Sequence, residues 1–145
     1  MTCLRLPSFL LFLAFFLISC GDDYEPRPSN NCDDTVIIGD AAFDNASRDP
    51  LTINSLDIEG QCLKVNYTAR GCDGDDWVIK LVDGALIMES LPPQRQVVVA
   101  FENNEPCRAS ITRETTFDLS PLQVETNSVI LRIENDDSQI LYEYE

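Results

Sequence analysis

The chain has 145 residues, with 10 basic and 25 acidic side chains, no histidine, six cysteines and a formal net charge of −15. That charge disfavours binding to nucleic acid or to anionic lipid headgroups, because both need clustered lysine and arginine. The lack of histidine removes the commonest general base and the commonest metal ligand, while 44% hydrophobic and 24% charged residues are typical of one globular domain.

The first element is an apolar segment near the N-terminus. After Arg5, an uninterrupted apolar run covers residues 9–18. It fits the roughly 7–15 residues of a signal-peptide core and is shorter than the ~20 residues that cross a bilayer. The run ends in Leu17-Ile18-Ser19-Cys20, which resembles the lipobox of bacterial lipoproteins. The resemblance implies that residues 1–19 are a signal peptide and that Cys20 carries lipid.

Residues 20–31 are expected to be the lipidated cysteine followed by a polar tether. Asp22, Asp23 and Glu25 follow Cys20 directly. Their placement resembles the acidic export signal of Bacteroidetes-type lipoproteins at the outer face of the outer membrane, although an ordinary acidic linker is the alternative. We therefore expect a protein anchored by lipid in the outer membrane, either exposed at the cell surface or facing the periplasm.

Four cysteines remain in the predicted domain, residues 32–145. They are Cys32, Cys62, Cys72 and Cys107. An even number of cysteines in an exported domain favours two disulfides, with three possible pairings. We favour Cys72–Cys107, since both residues adjoin turn residues, and this leaves Cys32–Cys62. A structural zinc site is the weaker alternative because closely spaced cysteine pairs and histidine are lacking.

The rest of the sequence consists of short apolar or alternating segments separated by turn signals. These segments predict strands at 35–38, 51–58, 62–69, 77–82, 85–88, 96–101, 108–117, 128–134 and 139–144. Asp83-Gly84 predicts a hairpin turn. About one turn of helix is expected at 118–122, with Ser120 as N-cap and Pro121 at the first helical position.

Eight or nine short strands with so little helix predict an all-β protein, an immunoglobulin-like two-sheet β-sandwich. Trp77 is expected in its core. The last two strands contain no cysteine, so the inter-sheet disulfide of antibody domains cannot form. In addition, residues 62–122 contain GC, LPPQ, PC and FDLSPL in that order. This string resembles small uncharacterised envelope lipoproteins of Bacteroidetes-type bacteria, which implies a location and a fold but no chemistry.

Two further features are candidate sites. Asp73, Asp75 and Asp76 form the densest carboxylate cluster and are a weak candidate for Ca²⁺, which prefers oxygen ligands. A solvated acidic turn is the alternative, since the spacing departs from that of an EF-hand. Asp34-Thr35-Val36 matches a short O-glycosylation motif attributed to Bacteroidetes-type envelope proteins, so Thr35 is a candidate attachment site.

The sequence lacks the nucleophile elbow, P-loop, dinucleotide-binding and zinc-protease motifs. We expect no catalytic residue, no metal and no cofactor. The expected function is that of a non-enzymatic, lipid-anchored binding or accessory module, which contacts the membrane through its anchor and also contacts an envelope protein or a glycan, but no nucleic acid. A structural or protease-inhibitory envelope module is the alternative, and a carboxylate-based hydrolase is a distant third.

Overall fold

A computed structural model describes residues 31–145. The predicted signal peptide, Cys20 and nearly all of the tether lie outside the described residues. The strands are β1 (Asp34–Thr35), β2 (Ile37–Ile38), β3 (Leu51–Glu59), β4 (Cys62–Gly71), β5 (Val78–Met88), β6 (Gln94–Glu102), β7 (Ala109–Asp118), β8 (Ser128–Ile133) and β9 (Ser138–Glu143). A helix α1 (Asp40–Asp44) follows β2, and a 3₁₀ helix (Ser120–Leu122) follows β7. From residue 31 onward, no helix has the length and apolarity that a membrane span requires.

The strands form two sheets, which confirms the predicted all-β, two-sheet architecture. One sheet has the order β1-β7-β4-β3 and the other has the order β2-β5-β6-β8-β9. Neighbouring strands are antiparallel except for the parallel pairs β1–β7, β2–β5 and β6–β8. Since β1 and β2 belong to different sheets, the chain crosses from one sheet to the other at Val36, between them.

The core lies between the sheets and follows from the alternation along the strands. In β4, Leu63, Val65, Tyr67 and Ala69 are buried, and the residues between them point outward. The facing sheet contributes the buried side chains Leu81, Val97, Val99, Phe101, Leu131 and Tyr142. Complete burial of a side chain the size of leucine contributes about 1.5–3 kcal/mol. Trp77 packs against this core, as predicted, with its ring 5.3 Å from the ring of Phe101.

The predicted hairpin turn at Asp83-Gly84 is wrong. β5 continues through these residues, and its register with β6 shifts between Asp83 and Ile87. Ala85 has a φ of 59°, and its N–H donates to the Asp83 carboxylate at 2.8 Å. The local turn signal therefore produces a β-bulge inside one long strand. The chain reverses only after Met88, through residues 89–93 with their two prolines.

The helix α1 was not predicted. It has only five residues, so no helical period could identify it. Phe43 of this helix packs with Val82, Val98 and Ala100, which form a second, smaller apolar cluster. These three residues alternate along β5 and β6 with side chains that point into the main core. The cluster therefore covers the outer face of that sheet.

The predicted role of Ser120 as a helix cap is also wrong. The 3₁₀ helix begins at Ser120, with Leu119 at the N-cap and without a side-chain cap. The backbone N–H of Ser120 donates to the Asp118 carboxylate at 2.9 Å. A carboxylate two residues earlier thus satisfies a backbone donor at the start of the helix, which is the task expected of a capping residue.

Two disulfides join the strands, with the pairing that the sequence analysis favours. Cys32–Cys62 joins the N-terminal segment to the start of β4. Cys72–Cys107 joins the residue after β4 to the segment before β7. β4 therefore carries a covalent cross-link at each of its ends.

Candidate functional site

The end of the β5–β6 hairpin exposes large apolar side chains. Leu86, Ile87 and Met88 of β5 and Leu91 of the turn are 74%, 49%, 37% and 93% exposed, and we call this set the apolar hairpin end. Seven large apolar side chains of the described part are exposed in all, and four of them lie at this one end of the hairpin. Scattered apolar side chains are normal on a protein surface, whereas four within six residues of one hairpin end indicate a contact surface.

A buried ion pair supports the base of this hairpin. The Arg95 guanidinium donates from Nε to Asp83 Oδ2 at 3.0 Å and from Nη2 to Asp83 Oδ1 at 2.7 Å. The Asp83 side chain is fully buried and that of Arg95 is 7% exposed. Two parallel hydrogen bonds fix the relative orientation of both side chains. Because Asp83 also accepts the N–H of Ala85, the same carboxylate holds the bulge in place.

One side of this hairpin is an open strand edge. β2 pairs with β5 only at Val82 and Asp83. In the part of the chain that the structure describes, no strand lies beside β5 beyond Asp83 on that side. An open edge can pair with an added strand, and native proteins commonly protect such edges with lysine or proline. Residues 84–88 contain neither lysine nor proline, although the bulge between Asp83 and Ile87 interrupts the edge and Phe43 of α1 lies against Gly84.

Acidic residues outnumber basic ones around the apolar hairpin end. Glu89 follows β5 directly. A cavity of about 180 Å³ next to Met88 is lined by Glu134, Asp137 and Arg132 among others. An apolar centre with a polar, charged rim is the usual arrangement of a protein–protein contact surface. The acidic rim indicates that a basic surface would complement it.

The predicted carboxylate cluster forms a loop, residues 72–76, that encloses a carboxylate instead of a cation. Glu105 accepts backbone N–H groups of Cys72 at 2.6 Å, of Gly74 at 2.9 Å and 3.1 Å, and of Asp76 at 3.4 Å. Gly74 has a φ of +79°, which glycine adopts without strain. Successive N–H groups that converge in this way form an anion-binding concavity. Here the anion belongs to the chain itself.

Asp73, Asp75 and Asp76 are not assembled as a ligand set. Arg113 Nη2 donates to Asp75 Oδ1 at 2.7 Å and to the Asp73 carbonyl at 2.6 Å. The Asp73 carboxylate accepts the N–H of Asp75 at 3.0 Å. Among residues 31–145, no group of three or more histidine, cysteine, aspartate or glutamate side chains could hold a metal ion. The structure therefore gives the Ca²⁺ interpretation no support.

The environment of Glu105 lowers the pKa of its carboxyl group below 4.5. Desolvation raises this pKa, but the hydrogen bonds from the backbone of Cys72, Gly74 and Asp76 lower it by more in total. The fold therefore favours the charged form of Glu105. The stabilisation is fully present above the pKa of about 4.5 in the unfolded chain, and it is lost as the pH falls through the lower pKa of the folded chain.

We expect Glu105→Gln to lower the melting temperature at pH 7. The difference in melting temperature from the wild type should shrink progressively as the pH falls from 5 to 3. The reason is that the wild type loses its own charge over the lower part of that range. Thermal unfolding of both proteins at several pH values measures the difference. Glu143→Gln, on the exposed side of β9, is the matched control and should behave like the wild type. A Glu105→Gln deficit of constant size down to pH 3 would contradict the assignment.

Thr35, the candidate glycosylation site, lies in β1 and is only 5% exposed. Its hydroxyl group is buried, and no residue from 31 onward forms a hydrogen bond with it. The folded domain therefore does not offer this hydroxyl to a glycosyltransferase. Attachment of a sugar there would have to precede folding.

Sequence analysis missed the Asp83–Arg95 pair and the role of Glu105. Asp83 is the single charged residue within an otherwise apolar stretch at 81–88, and this pattern is a signal for a buried partner. Arg95 carries no comparable signal. Glu105 is 31 residues from Gly74, so only the fold brings it to the loop.

Comparisons with known proteins identify the fold. No protein family matches the sequence, and neither does any curated protein. A solved structure of a protein of unknown function, DUF1344, from Bacteroides vulgatus is similar, with a TM-score of 0.54 and 16% identity over 77% of this chain and 57% of that chain. A NigD-like immunity protein from Bacteroides caccae has a TM-score of 0.52 and 11% identity over 74% of this chain and 57% of that chain.

A putative toxin-related protein from Parabacteroides distasonis is similar as well, with a TM-score of 0.50 and 14% identity over 74% of this chain and 59% of that chain. This chain thus spans less than two thirds of the length of each of the three structures. At such identities the likeness is one of fold. The three organisms agree with the resemblance to small Bacteroidetes-type proteins seen in the sequence.

Proposed function

We propose that the protein is a lipid-anchored, non-enzymatic binding module of the outer envelope that recognises a partner protein through the apolar hairpin end. The observation that carries this proposal is the group of four exposed apolar side chains on one hairpin, above a buried ion pair. The lipobox resemblance at Cys20 supports the anchor. The fold shared with a NigD-like immunity protein supports an accessory or immunity role.

The charge of the surface defines the chemistry of the partner. Leu86 and Leu91, the two most exposed large apolar side chains from residue 31 onward, would gain binding energy through burial of their apolar surface in a partner's pockets. Glu89 and Asp137 favour basic residues around such a pocket, whereas Glu134 already forms an ion pair with Arg48. A second copy of this chain or an anionic bilayer is a poorer complement, because the net charge of −15 repels both.

The open edge of β5 beyond Asp83 supplies a mode of contact. A partner strand placed there would form main-chain hydrogen bonds, and the flanking side chains would determine specificity. Ile87 and Met88 remain paired with β6, so the hairpin keeps its strand geometry at the contact. We therefore infer a partner that offers an extended, apolar segment with basic neighbours.

Site-specific crosslinking in intact cells tests this function with the full chain. A photoreactive residue at position 90, at the tip of the turn, should crosslink to one envelope protein. The double variant Leu86→Ser, Leu91→Ser should weaken binding of that purified protein by roughly 100-fold or more, since full burial of each leucine side chain contributes about 1.5–3 kcal/mol. Binding should also weaken as the salt concentration rises, because the rim is charged.

The control variant is Leu141→Ser, which removes a 47% exposed leucine from β9 and should leave binding unchanged. A parallel Cys20→Ala variant should move from the detergent-extracted envelope fraction to the soluble fraction. Crosslinks to lipid alone, to a second copy of this chain or to nothing would overturn the proposed partner. If Leu141→Ser weakened binding of the partner as much as the double variant Leu86→Ser, Leu91→Ser does, the proposed surface would be overturned.

A further inference from the structure

The geometry points to a second binding site, for a saccharide that carries a carboxylate or phosphate group, in a groove remote from the apolar hairpin end. The groove has a volume of about 480 Å³, within the usual range of ~300–1,000 Å³ for small-molecule sites. It lies between the start of β3, the end of β4 and the segment that joins β6 to β7. Its lining includes Thr52, Thr68, Arg70, Asn103, Arg108 and Ser110.

The groove and the apolar hairpin end lie at opposite ends of the sandwich. Trp77, directly before β5, lies against Gly71 at the end of β4. The start of β5 is therefore at the same end as the groove. β5 has eleven residues and leads away from it, which places the hairpin end about 30 Å distant at roughly 3.3 Å per residue.

One wall of the groove is fixed by three separate constraints. The Asn103 side chain donates to the Arg70 carbonyl at 2.6 Å. The Glu105 carboxylate is held by the backbone N–H groups of residues 72–76, as described above. The Cys72–Cys107 disulfide closes the same segment covalently. A wall held in this way loses little conformational entropy when a ligand binds, which favours affinity.

Arg70 and Arg108 give the groove a positive character that is unusual in this acidic chain. Both side chains are exposed, and neither forms an ion pair or a side-chain hydrogen bond with residues 31–145. Arg70 lies opposite Ser110 in the register of β4 and β7. Arg108, directly before β7, lines the same groove as Arg70. Two guanidinium groups thus remain available to one ligand.

The other lining groups indicate what that ligand carries. A guanidinium group binds a carboxylate or phosphate through two parallel hydrogen bonds. The hydroxyl groups of Thr52 and Ser110 form no hydrogen bond with any described residue, so they can bind hydroxyl groups of a ligand. Glu105 also lines the groove, but its oxygens accept the loop N–H groups. An acidic saccharide carries both an anionic group for the two guanidinium groups and hydroxyl groups for the hydroxyl groups of Thr52 and Ser110.

Titration of the purified full chain in neutral detergent tests the site. The probes are a glucuronic acid oligosaccharide, glucose 6-phosphate, neutral glucose and a glutamate-rich peptide, with calorimetry as the readout. At least one of the two acidic sugars should bind, and neutral glucose should bind at least tenfold more weakly. The two acidic probes distinguish a carboxylate ligand from a phosphate ligand.

Arg70→Ala and Arg108→Ala should each weaken binding of that acidic sugar about tenfold, whereas Arg132→Ala, an exposed arginine outside the groove, should leave it unchanged. The variant Leu86→Ser should also leave it unchanged, so this site can fail or succeed independently of the proposed partner surface. The proposal would be overturned if neither acidic sugar bound, if neutral glucose bound as tightly as they do, or if only the peptide bound. It would also be overturned if Arg132→Ala weakened binding of the acidic sugar as much as Arg70→Ala and Arg108→Ala do.

Discussion

Replacement of Arg95 by alanine is expected to destabilise the domain by about 3–5 kcal/mol, because the substitution leaves the carboxylate of Asp83 buried without a counter-charge. Asp83 has no exposed surface, and its carboxylate would keep only the N–H of Ala85 among its described partners. Urea unfolding followed by the fluorescence of Trp77, the only tryptophan, measures the change. Arg132→Ala, an exposed arginine on the neighbouring β8, should stay within about 0.5 kcal/mol of the wild type.

A double variant separates the cost of an unpaired charge from the net contribution of the pair. Asp83→Leu with Arg95→Met replaces both charges by apolar side chains of similar size. It should be more stable than Arg95→Ala alone, since exchange of a buried ion pair for packed apolar groups is often close to neutral. A loss in Arg95→Ala below about 1 kcal/mol, or a double variant less stable than the single one, would contradict this account of the hairpin base.

Removal of the Cys72–Cys107 disulfide by Cys72→Ser with Cys107→Ser is expected to lower the free energy of unfolding by about 3–4 kcal/mol. The bond closes a loop of 35 residues, and its loss returns that conformational freedom to the unfolded chain. Chemical unfolding measures the loss. The equivalent Cys32→Ser, Cys62→Ser variant, with a separation of 30 residues, should lose a similar amount.

Hydrogen exchange distinguishes the two disulfide variants. Without Cys72–Cys107, the N–H of Gly74 should exchange faster, because the segment that holds Glu105 is no longer linked to the loop. Without Cys32–Cys62, exchange at the N–H of Gly74 should become faster only to the extent that the lower global stability of the domain requires. Unchanged stability of either variant, or equal exchange at Gly74 in both, would show that the structure assigns these bonds the wrong roles.

The strands could be predicted where burial alone determines the pattern. The segment predicted at 62–69 is β4 (Cys62–Gly71), and the one predicted at 128–134 is β8 (Ser128–Ile133). In both, every second residue faces the core, so the period of two is visible in the sequence. The two sheets follow from such local signals and from the turns between them. The number of strands agrees only because the strand predicted at 35–38 is divided into β1 and β2, while those predicted at 77–82 and 85–88 are joined in β5.

Contacts between distant residues explain what could not be predicted. Asp83-Gly84 carries a strong turn signal, yet β5 continues because Asp83 pairs with Arg95 and with β2. Arg70 and Arg108 are 38 positions apart in sequence and line one groove only because the fold pairs β4 with β7. The groove arises in this way and so was not visible as a motif, whereas the apolar hairpin end is local in sequence at 86–91 and only its exposure depends on the fold.

The position of the Cys32–Cys62 bond has a mechanical consequence. A chain held by its N-terminus is pulled there, and the pull reaches the folded domain first at Cys32. Because Cys32 is bonded to Cys62, the tension passes directly into β4, which has a strand on each side. The two-residue strands β1 and β2 are spared the load that would otherwise peel them from β7 and β5. Tension applied at the N-terminus would thus be carried by a strand that is paired on both sides.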